Sequence, residues 1–300
     1  MRIPKKLPSP LSEAPFGVAD ANAAGVSPGQ FRSGRLAAPY RGVRVLKRPQ
    51  TTEERCSAYA VKMPPEQFFS HLTAAELYGF PLPYKLCNQP RVHVAVARPH
   101  YPPKGRGVVG HRLSRAPSPW TKGKLRALPP AETWCQLGST LTRDELVVVG
   151  DYLVRRKRPL CTMDELSAAV IAAAHTPGIE TVRAALGDIR PFTDSPRESE
   201  LRLIIVRAGL PEPAIRHSVT SAEGMFIGTP DLAYVDEMVA IEYEGEHHRT
   251  DALTYENDII RREQFEDAGW LVIRVTKSHL GGQHHRLIQR IERALRERAR

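Results

Sequence analysis

The sequence predicts a mixed α/β protein, with a helix-flanked mixed sheet in its C-terminal part and an α+β domain before it. Runs that alternate apolar and polar residues, such as RVHVAVAR and WLVIRV, are typical of strands, and runs with apolar residues every three or four positions are typical of helices. Beyond residue 195 these runs follow one another as helix, three strands, helix, strand and helix. That order predicts an α/β sandwich around a mixed sheet.

The 300-residue chain is long enough for two domains. Residues 1–15 are rich in proline and are expected to be loose. We expect an α+β domain at 16–186, a linker at 187–194 with the sequence GDIRPFTD, and a second domain at 195–300.

The first domain is expected to begin with a degenerate winged helix. Residues 16–45 have the pattern of two short helices followed by a strand, although Pro28 and Gly29 leave little room for a recognition helix. The elements expected after it are a helix at 66–78, a strand at 91–98, a loop or hairpin at 99–115, two helices within 128–158 and a helix at 162–174.

The second domain is expected to open with a helix, because Ser195 suits an N-cap, Pro196 suits the first turn and Gly209 suits the end. Three strand candidates follow, with the sequences AIRHSVT, FIGTPDLAYV and MVAIEYEG. A helix that ends before Gly269, the strand WLVIRVT and a closing amphipathic helix complete the domain.

The formal net charge of +10 favours an anionic partner, nucleic acid first. The basic excess lies in the first 190 residues, whereas the remainder carries more acidic than basic side chains. No apolar run is long enough to span a membrane, and the four cysteines lack metal-knuckle spacing. We therefore expect a cytoplasmic protein with reduced cysteines and no membrane partner.

A basic stretch between the predicted strand at 91–98 and the following helices could meet a nucleic-acid backbone. It is rich in glycine and proline, as loops are, and a solvated loop is an equal alternative. The side chains expected to contact phosphate are Lys104, Arg106, Arg112 and Arg115.

Acidic residues cluster around a predicted hairpin. If Asp236 and Glu237 form a two-residue loop, counting back along the two strands places Asp231 opposite Glu242. Directly opposed side chains share a face, and Glu244, two residues farther on, shares it too. Three carboxylates are therefore expected to converge, although a one-residue slip in register would separate Asp231 from Glu242.

A hard cation would relieve the repulsion between these acids. Mg²⁺ prefers carboxylates, water and phosphate oxygens, so the pattern predicts a Mg²⁺ or Mn²⁺ site. The alternative is a solvated sheet edge, where exposed acids need no ion.

Several motifs occur in order along residues 195–298: SPRESELR, GTPDLAYVDEMVAIEYEGEHH and YENDIIRREQFEDAGWLVIRV. Together they resemble the very-short-patch-repair-like endonuclease domains, a branch of the PD-(D/E)xK nuclease superfamily. The resemblance implies a restriction-endonuclease-like α-β-β-β-α-β core and phosphodiester hydrolysis. More weakly, residues 31–98 resemble the N-terminal part of AbiEi-type antitoxin proteins, which implies DNA binding.

The resemblance also assigns roles to individual residues. Asp231 and Glu242 match the metal-binding acids, and Tyr243 matches the residue that offers its backbone carbonyl to the metal. Glu244 stands where the superfamily keeps Lys and this branch usually has Asp. The other matches are His248, Glu198 in the first helix, and the pair Asp258 and Arg261, which fits a D-x-x-R pattern.

Local alternatives remain for some of these residues. Glu198 lies three residues after Ser195 and could simply complete a capping box. Asp258 and Arg261 are three residues apart on a helix and could form only a surface ion pair.

Two functions therefore stay open. One is a metal-dependent endonuclease that hydrolyses DNA, with RNA not excluded as substrate. In it Asp231 and Glu242 hold the metal, and Glu244 or His248 positions the water. The other is a non-catalytic, antitoxin-like DNA-binding regulator with a decayed nuclease fold, which the missing Lys and the unusual Glu244 favour. The sequence makes no prediction of oligomeric state.

Overall fold

The computed structural model describes residues 7–9, 11–32, 35–118, 120–244 and 252–299, with the backbone alone at 32 and 252–259. The protein is mixed α/β, as predicted. The chain divides into two compact units: the first comprises 1–142 and 164–183, and the second comprises 143–163 and 184–300. The second unit thus includes a segment that precedes the linker expected at 187–194.

The helices and strands up to residue 136 belong to the first unit. In chain order they are β1 (Phe16–Gly17), α1 (Val18–Ala23), α2 (Pro28–Arg32), β2 (Val43–Arg44), α3 (Thr52–Ala60), β3 (Gln67–Phe69), α4 (His71–Leu77), β4 (Val92–Ala97), β5 (Val108–Leu113), β6 (Thr121–Lys122), β7 (Leu125–Arg126) and α5 (Pro130–Gln136). Single 3₁₀ turns occupy Tyr84–Leu86 and Leu137–Ser139.

The remaining elements begin with three helices, and the division between the units falls within the second and third of them. They are α6 (Arg143–Leu153), α7 (Met163–Ala172), α8 (Ile179–Leu186), α9 (Pro196–Arg207), β8 (Ala214–Ile215), β9 (Val219–Thr220), β10 (Phe226–Gly228), β11 (Leu232–Tyr234), β12 (Val239–Tyr243), α10 (Ala252–Asp267), β13 (Leu271–Val275), α11 (Lys277–Leu280) and α12 (His284–Arg298).

The main sheet of the first unit has the strand order β3-β4-β5, and it corrects two predictions. The helix expected at 66–78 begins only at His71, because Gln67–Phe69 pairs with β4 and buries Phe69 completely. The stretch expected to be a loop or hairpin at 99–115 contains β5, which runs parallel to β4. A parallel pair cannot be joined as a hairpin, because the chain must cross back between the strands.

The main sheet of the second unit has the order β13-β12-β11-β8 and is mixed. β11 pairs antiparallel with β12 and β8, whereas β12 and β13 are parallel. One face packs on α9 and α12 through residues such as Leu201, Ile241 and Ile291. The other face packs on Phe265 of α10. Helices therefore cover both faces, as expected of strands that are apolar on both sides.

Capping residues fix the ends of α9 and α10 as predicted. The Ser195 hydroxyl accepts a hydrogen bond from the Glu198 N–H at 3.3 Å, and Pro196 occupies the first turn of α9. Gly209 and Gly269, with φ of +86° and +82°, follow the two helices in the left-handed conformation that glycine adopts without strain. The run AIRHSVT, expected as one strand, is broken into β8 and β9 at Arg216, whose φ is +55°.

A buried ion pair joins α6 to α9 and explains why α6 belongs to the second unit. The Arg202 guanidinium donates to Asp151 Oδ2 at 3.0 Å and to Glu212 Oε1 at 2.9 Å. The Arg202 and Asp151 side chains are 2% and 0% exposed. Burial raises the pKa of Asp151, and the neighbouring Arg202 opposes that increase. No local pattern in the sequence predicted this pair, since 51 residues separate its members.

Candidate active site

The β11–β12 hairpin has the predicted register. Leu232 pairs with Ile241 and Tyr234 with Val239. The chain turns through residues 235–238, where the Met238 N–H donates to the Val235 carbonyl at 3.2 Å, so the register is the predicted one although the turn is longer than the two-residue loop expected at 236–237. Continued by one position, this register brings Asp231 opposite Glu242. The expected alternation holds as well, because Ile241 lies in the core against α9 and α12. Glu242 therefore lies on the other face, which α10 covers.

Asp231 is held in place by the strand beside it. Its Oδ2 accepts a hydrogen bond from the Tyr243 N–H at 2.7 Å, and its carbonyl accepts one from the Arg216 N–H at 3.3 Å. Burial raises the pKa of Asp231, whereas the Tyr243 N–H and the positive charges of Arg261 and Arg216 lower it. The net pKa is above the ordinary value, so this carboxyl gives up its proton less readily than an exposed aspartate.

Glu242 forms an ion pair with Arg261 of α10. The Arg261 guanidinium also lies 5.7 Å from the centre of the Phe265 ring, which anchors it over the sheet. The Glu242 side chain is 25% exposed and the Arg261 side chain is 41% exposed. The predicted metal ligand is thus compensated by a cation that the chain itself supplies. The Asp258 side chain lies outside the described residues, so the D-x-x-R pair stays a prediction.

Glu244 has a separate arginine partner. It forms an ion pair with Arg274 of β13, and its N–H donates to the Val275 carbonyl at 2.7 Å. In the described part of the chain, the carboxylate oxygens of Asp231, Glu242 and Glu244 do not all lie within 4.8 Å of one another. The expected convergence of three carboxylates is therefore not found, because two of them turn to different arginines.

Glu198 lies close to Asp231 and also caps its helix. It is 6% exposed, and its Oε2 accepts a hydrogen bond from the Asp194 N–H at 2.9 Å. This variant of a capping box satisfies the residue before the N-cap instead of the N-cap itself. Burial is the main cause that raises the pKa of Glu198, and the nearby Asp231 raises it further. The capping and site interpretations are thus compatible.

The structure adds residues that the sequence did not single out. Asp194, in the expected linker, accepts two hydrogen bonds from Arg156, both at 2.9 Å, and pairs with Arg216. These hydrogen bonds and charges hold the pKa of Asp194 below its usual range. The surroundings of Asp231 therefore contain both acids and arginines that pair with them. No local pattern could have revealed this, because the partners come from distant segments.

Of the two remaining predicted site residues, the structure describes Tyr243 alone. His248 lies outside the described residues. The Tyr243 side chain packs against the core on the α9 face, so its backbone alone meets Asp231.

The predicted phosphate-contacting residues of the first unit lie in different surroundings. Lys104 and Arg106 line a cavity of about 710 Å³ whose described lining includes further cations and no Asp or Glu. The other basic side chains along it are Arg41, Arg44 and Lys62. Arg112 instead lies 5.0 Å from the centre of the Tyr101 ring. Arg115 acts on Glu132: burial raises the pKa of Glu132 above its ordinary value, and the charge of Arg115 opposes that increase.

The first unit also contains a histidine cluster that the sequence did not reveal. His71, His93 and His111 bring their ligand atoms within 4.8 Å of one another. In the part of the chain that the structure describes, no other group of His, Cys, Asp or Glu does so. In the sequence, the three histidines lie in three successive elements, α4, β4 and β5. Their contact could not be predicted without knowing that β4 and β5 pair in parallel.

Comparison with known proteins finds relatives that resemble the whole chain. The uncharacterized protein MT2308 of Mycobacterium tuberculosis (strain CDC 1551 / Oshkosh) is 28% identical over 279 residues, which cover 90% of this chain and 96% of the relative. The uncharacterized protein Rv2248 of strain ATCC 25618 / H37Rv matches to the same extent. No family model matches. Both units thus have bacterial counterparts in one chain. Among the described residues, no helix is long and apolar enough to cross a membrane.

Proposed function

We propose that this protein is a divalent-metal-dependent endonuclease that hydrolyses DNA phosphodiester bonds at Asp231 and Glu242. The observation that carries the proposal is the hairpin register, which sets Asp231 beside Glu242 while the Tyr243 N–H fixes the Asp231 carboxylate. The order and pairing of α9, β11, β12, α10 and β13 also fit the core that the resemblance implies.

The donor set fits a hard cation. Asp231 and Glu242 offer carboxylate oxygens and Tyr243 offers its carbonyl, the ligand types that Mg²⁺ and Mn²⁺ take. Arg261 compensates Glu242, but its side chain is 41% exposed, and an ion pair this accessible contributes about 1 kcal/mol or less. A divalent cation can therefore take the place of the guanidinium at small cost. When bound, the metal supplies charge that polarises a phosphate and lowers the pKa of a water molecule.

The residues around the two acids contribute binding and orientation. Arg261, once separated from Glu242, is placed on the same sheet face and can donate two hydrogen bonds to a phosphate. Glu198 adds negative charge next to Asp231, which strengthens the attraction for a cation. Glu244 must leave Arg274 before it can orient the attacking water. The basic cavity that Lys104 and Arg106 line suits backbone phosphates, so DNA affinity should fall steeply with salt.

A second function is favoured by a specific observation. Glu242 and Glu244 each form an ion pair with an arginine, so the acids are neutralised without a metal. A DNA-binding regulator with a decayed nuclease fold would keep these pairs and cleave nothing. The two functions differ in one measurable property, which is metal-dependent cleavage.

The decisive experiment is a nicking assay on supercoiled plasmid with Mg²⁺, with Mn²⁺ and with a chelator. We expect cleavage with either metal and none with the chelator. Asp231→Asn and Glu242→Gln keep the shape of each side chain and remove its charge, so each should lower the rate by at least about 100-fold, or roughly 2.7 kcal/mol of transition-state stabilisation. Asp236→Asn is the matched control, because Asp236 is an exposed acid in the turn of the same hairpin.

The outcomes separate the candidates. Cleavage that survives both substitutions would place the active site elsewhere. Absence of cleavage in the unmodified protein, together with salt-dependent DNA binding that Asp231→Asn leaves intact, would identify the non-catalytic regulator.

A further inference from the structure

Three histidines of the first unit converge from separate segments of the chain. His71 is the first residue of α4, His93 lies in β4 and His111 lies in β5. β4 and β5 are parallel, with His93 opposite Val109, so His93 and His111 are two positions apart on the same face. The Ser70 N–H donates to the His93 carbonyl at 3.1 Å, which brings the start of α4 to the same place.

The three imidazoles are in direct contact. The ring centres of His71 and His111 are 3.6 Å apart, those of His93 and His111 are 5.1 Å apart, and those of His71 and His93 are 5.7 Å apart. Nδ1 of His93 lies 2.9 Å from Nε2 of His111. The ring nitrogens of all three residues thus belong to one compact group.

Neighbouring polar groups fix the backbone that carries this group. His71 has a φ of +48°, which is costly for a residue with a side chain, and its N–H donates to Oε1 of the buried Gln136 at 2.9 Å. The His93 N–H donates to the Thr73 hydroxyl at 2.8 Å. Nδ1 of His71 lies 3.1 Å from the Ser70 hydroxyl, a contact that orients the ring. A partner on the ring nitrogen, such as the Ser70 hydroxyl, is what orients a ligating histidine in metal sites.

We infer that His71, His93 and His111 bind one divalent transition-metal ion of the Zn²⁺ class, with a fourth coordination position open to water or a ligand. Neutral imidazole nitrogen is a preferred donor for Zn²⁺, Co²⁺, Ni²⁺ and Cu²⁺, and three protein ligands with one open position are typical of reactive zinc sites. All three histidines are half-buried, so the solvent can reach the group.

The ligand nitrogens are already close enough to meet at one ion, and the rings must rotate to bind it. Zinc–nitrogen bonds of 2.0–2.1 Å in a tetrahedron separate two ligand nitrogens by about 3.3 Å, a few tenths of an ångström more than the His93–His111 contact. The rings lie within 30° of parallel, so rotation about side-chain bonds must turn their lone pairs towards one point. Burial, the main cause, lowers the pKa of His71 to about 3 and that of His93 to about 4. Both imidazoles are therefore neutral at neutral pH, and each has one ring nitrogen with a lone pair free to bind a metal.

The test is metal binding by the full chain after treatment with a chelator. Zn²⁺ titration by calorimetry should give one ion per chain, and Co²⁺ should give the visible absorption of a nitrogen-ligated, four-coordinate ion. His93→Gln and His111→Gln should each weaken Zn²⁺ affinity by at least about 100-fold. His100→Gln is the control, because His100 is exposed, lies three residues after the end of β4 and is outside the group. Zn²⁺ should also raise the unfolding temperature of the unmodified protein and not that of the two variants.

Other results would overturn the inference. Absence of stoichiometric Zn²⁺ binding would leave a stack of neutral histidines joined by an N–H···N hydrogen bond. Unchanged affinity in both variants would place the ion at other ligands. If a variant fails to fold, X-ray absorption of the Zn²⁺-loaded unmodified protein decides: three imidazole ligands support the site, and fewer contradict it. None of these outcomes bears on the proposed Mg²⁺ site at Asp231 and Glu242, which the nicking assay tests separately.

Discussion

The acid–arginine cluster of the second unit and the histidine cluster of the first collect ionisable groups in different ways. Around Asp231 the chain pairs the neighbouring acids Asp194 and Glu242 with the guanidinium groups of Arg216 and Arg261, whose positive charges also act on Asp231. Around His93 the groups are neutral at physiological pH, because burial disfavours their charged forms. A cation must therefore displace an arginine at the first cluster, whereas at the second it meets uncharged nitrogens. The difference predicts hard-metal selectivity at one and nitrogen-preferring metals at the other.

The largest effect on stability should come from removing the arginine of the buried ion pair in the second unit. Arg202→Leu leaves Asp151 buried without its cation, and we expect the free energy of unfolding to fall by about 3–5 kcal/mol. Denaturant unfolding measures this. Arg197→Leu on the same helix is the matched control, because its pair with Glu200 is exposed and contributes about 1 kcal/mol or less. If the two substitutions lower the free energy of unfolding equally, burial of the Arg202–Asp151 pair does not increase its contribution to stability.

The histidine cluster and the two buried carboxyls Asp231 and Glu198 should respond to acid with opposite signs. The folded-state pKa of His71 and of His93 lies below the unfolded value, so their contribution to stability is complete above about pH 6.5 and is lost as the pH falls towards 4. Each histidine contributes up to about 1.4 kcal/mol per pH unit in that window. The pKa of Asp231 and of Glu198 is raised above the ordinary value, mainly by burial, so lowering the pH through their raised folded-state pKa stabilises the folded protein, and this gain is complete below their ordinary pKa.

Urea unfolding between pH 7 and pH 4 measures this difference. His93→Gln should flatten the loss of stability, because it removes one of the protons taken up on unfolding. A profile as steep as that of the unmodified protein would show that His93 does not titrate in this way.

A smaller effect should follow from removing the internal cation of the acid cluster. Arg261→Leu leaves Glu242 without its partner, so Mn²⁺ should bind the second unit more tightly, by roughly fivefold for about 1 kcal/mol of lost competition. Calorimetric titration with Mn²⁺ measures the affinity, and Arg262→Leu is the control, because Arg262 pairs with Glu266 on the exposed side of α10. Weaker Mn²⁺ binding would mean that Arg261 supports the site instead of competing with the ion.

The smallest effect on stability should come from Glu244→Asp. In the ion pair that Glu244 forms with Arg274, the Arg274 side chain is 53% exposed and the Glu244 side chain is 35% exposed. Loss of this pair should therefore change the free energy of unfolding by no more than about 0.5 kcal/mol. The nicking rate should rise, because the shorter side chain releases Arg274 and restores the residue usual in the resembled endonucleases. A fall in the rate would show that Glu244 is itself the better nucleophile-positioning group.

The strands and helices of the second unit were largely predictable because their signals are local. Ser195 and Gly209 bound α9 where expected, and the β11–β12 hairpin has the predicted register although its turn, at 235–238, is two residues longer than expected. Prediction was wrong at 66–78, where a short strand precedes the helix, and at 99–115, where β5 lies. Both errors concern strands that are stable only through pairing with β4, which no local pattern reveals.

The sequence by itself determined that Asp231 and Glu242 lie opposite each other, because two alternating strands joined by a short turn can be paired in this register by counting along the chain. Tertiary structure alone decided which side chains compensate them: Arg261 reaches Glu242 from α10, and Arg274 draws Glu244 away. It also joined Asp151 to Arg202 and brought His71, His93 and His111 together. These contacts depend on the packing of segments far apart in the chain, and packing is a property of the folded core that local periodicity does not encode.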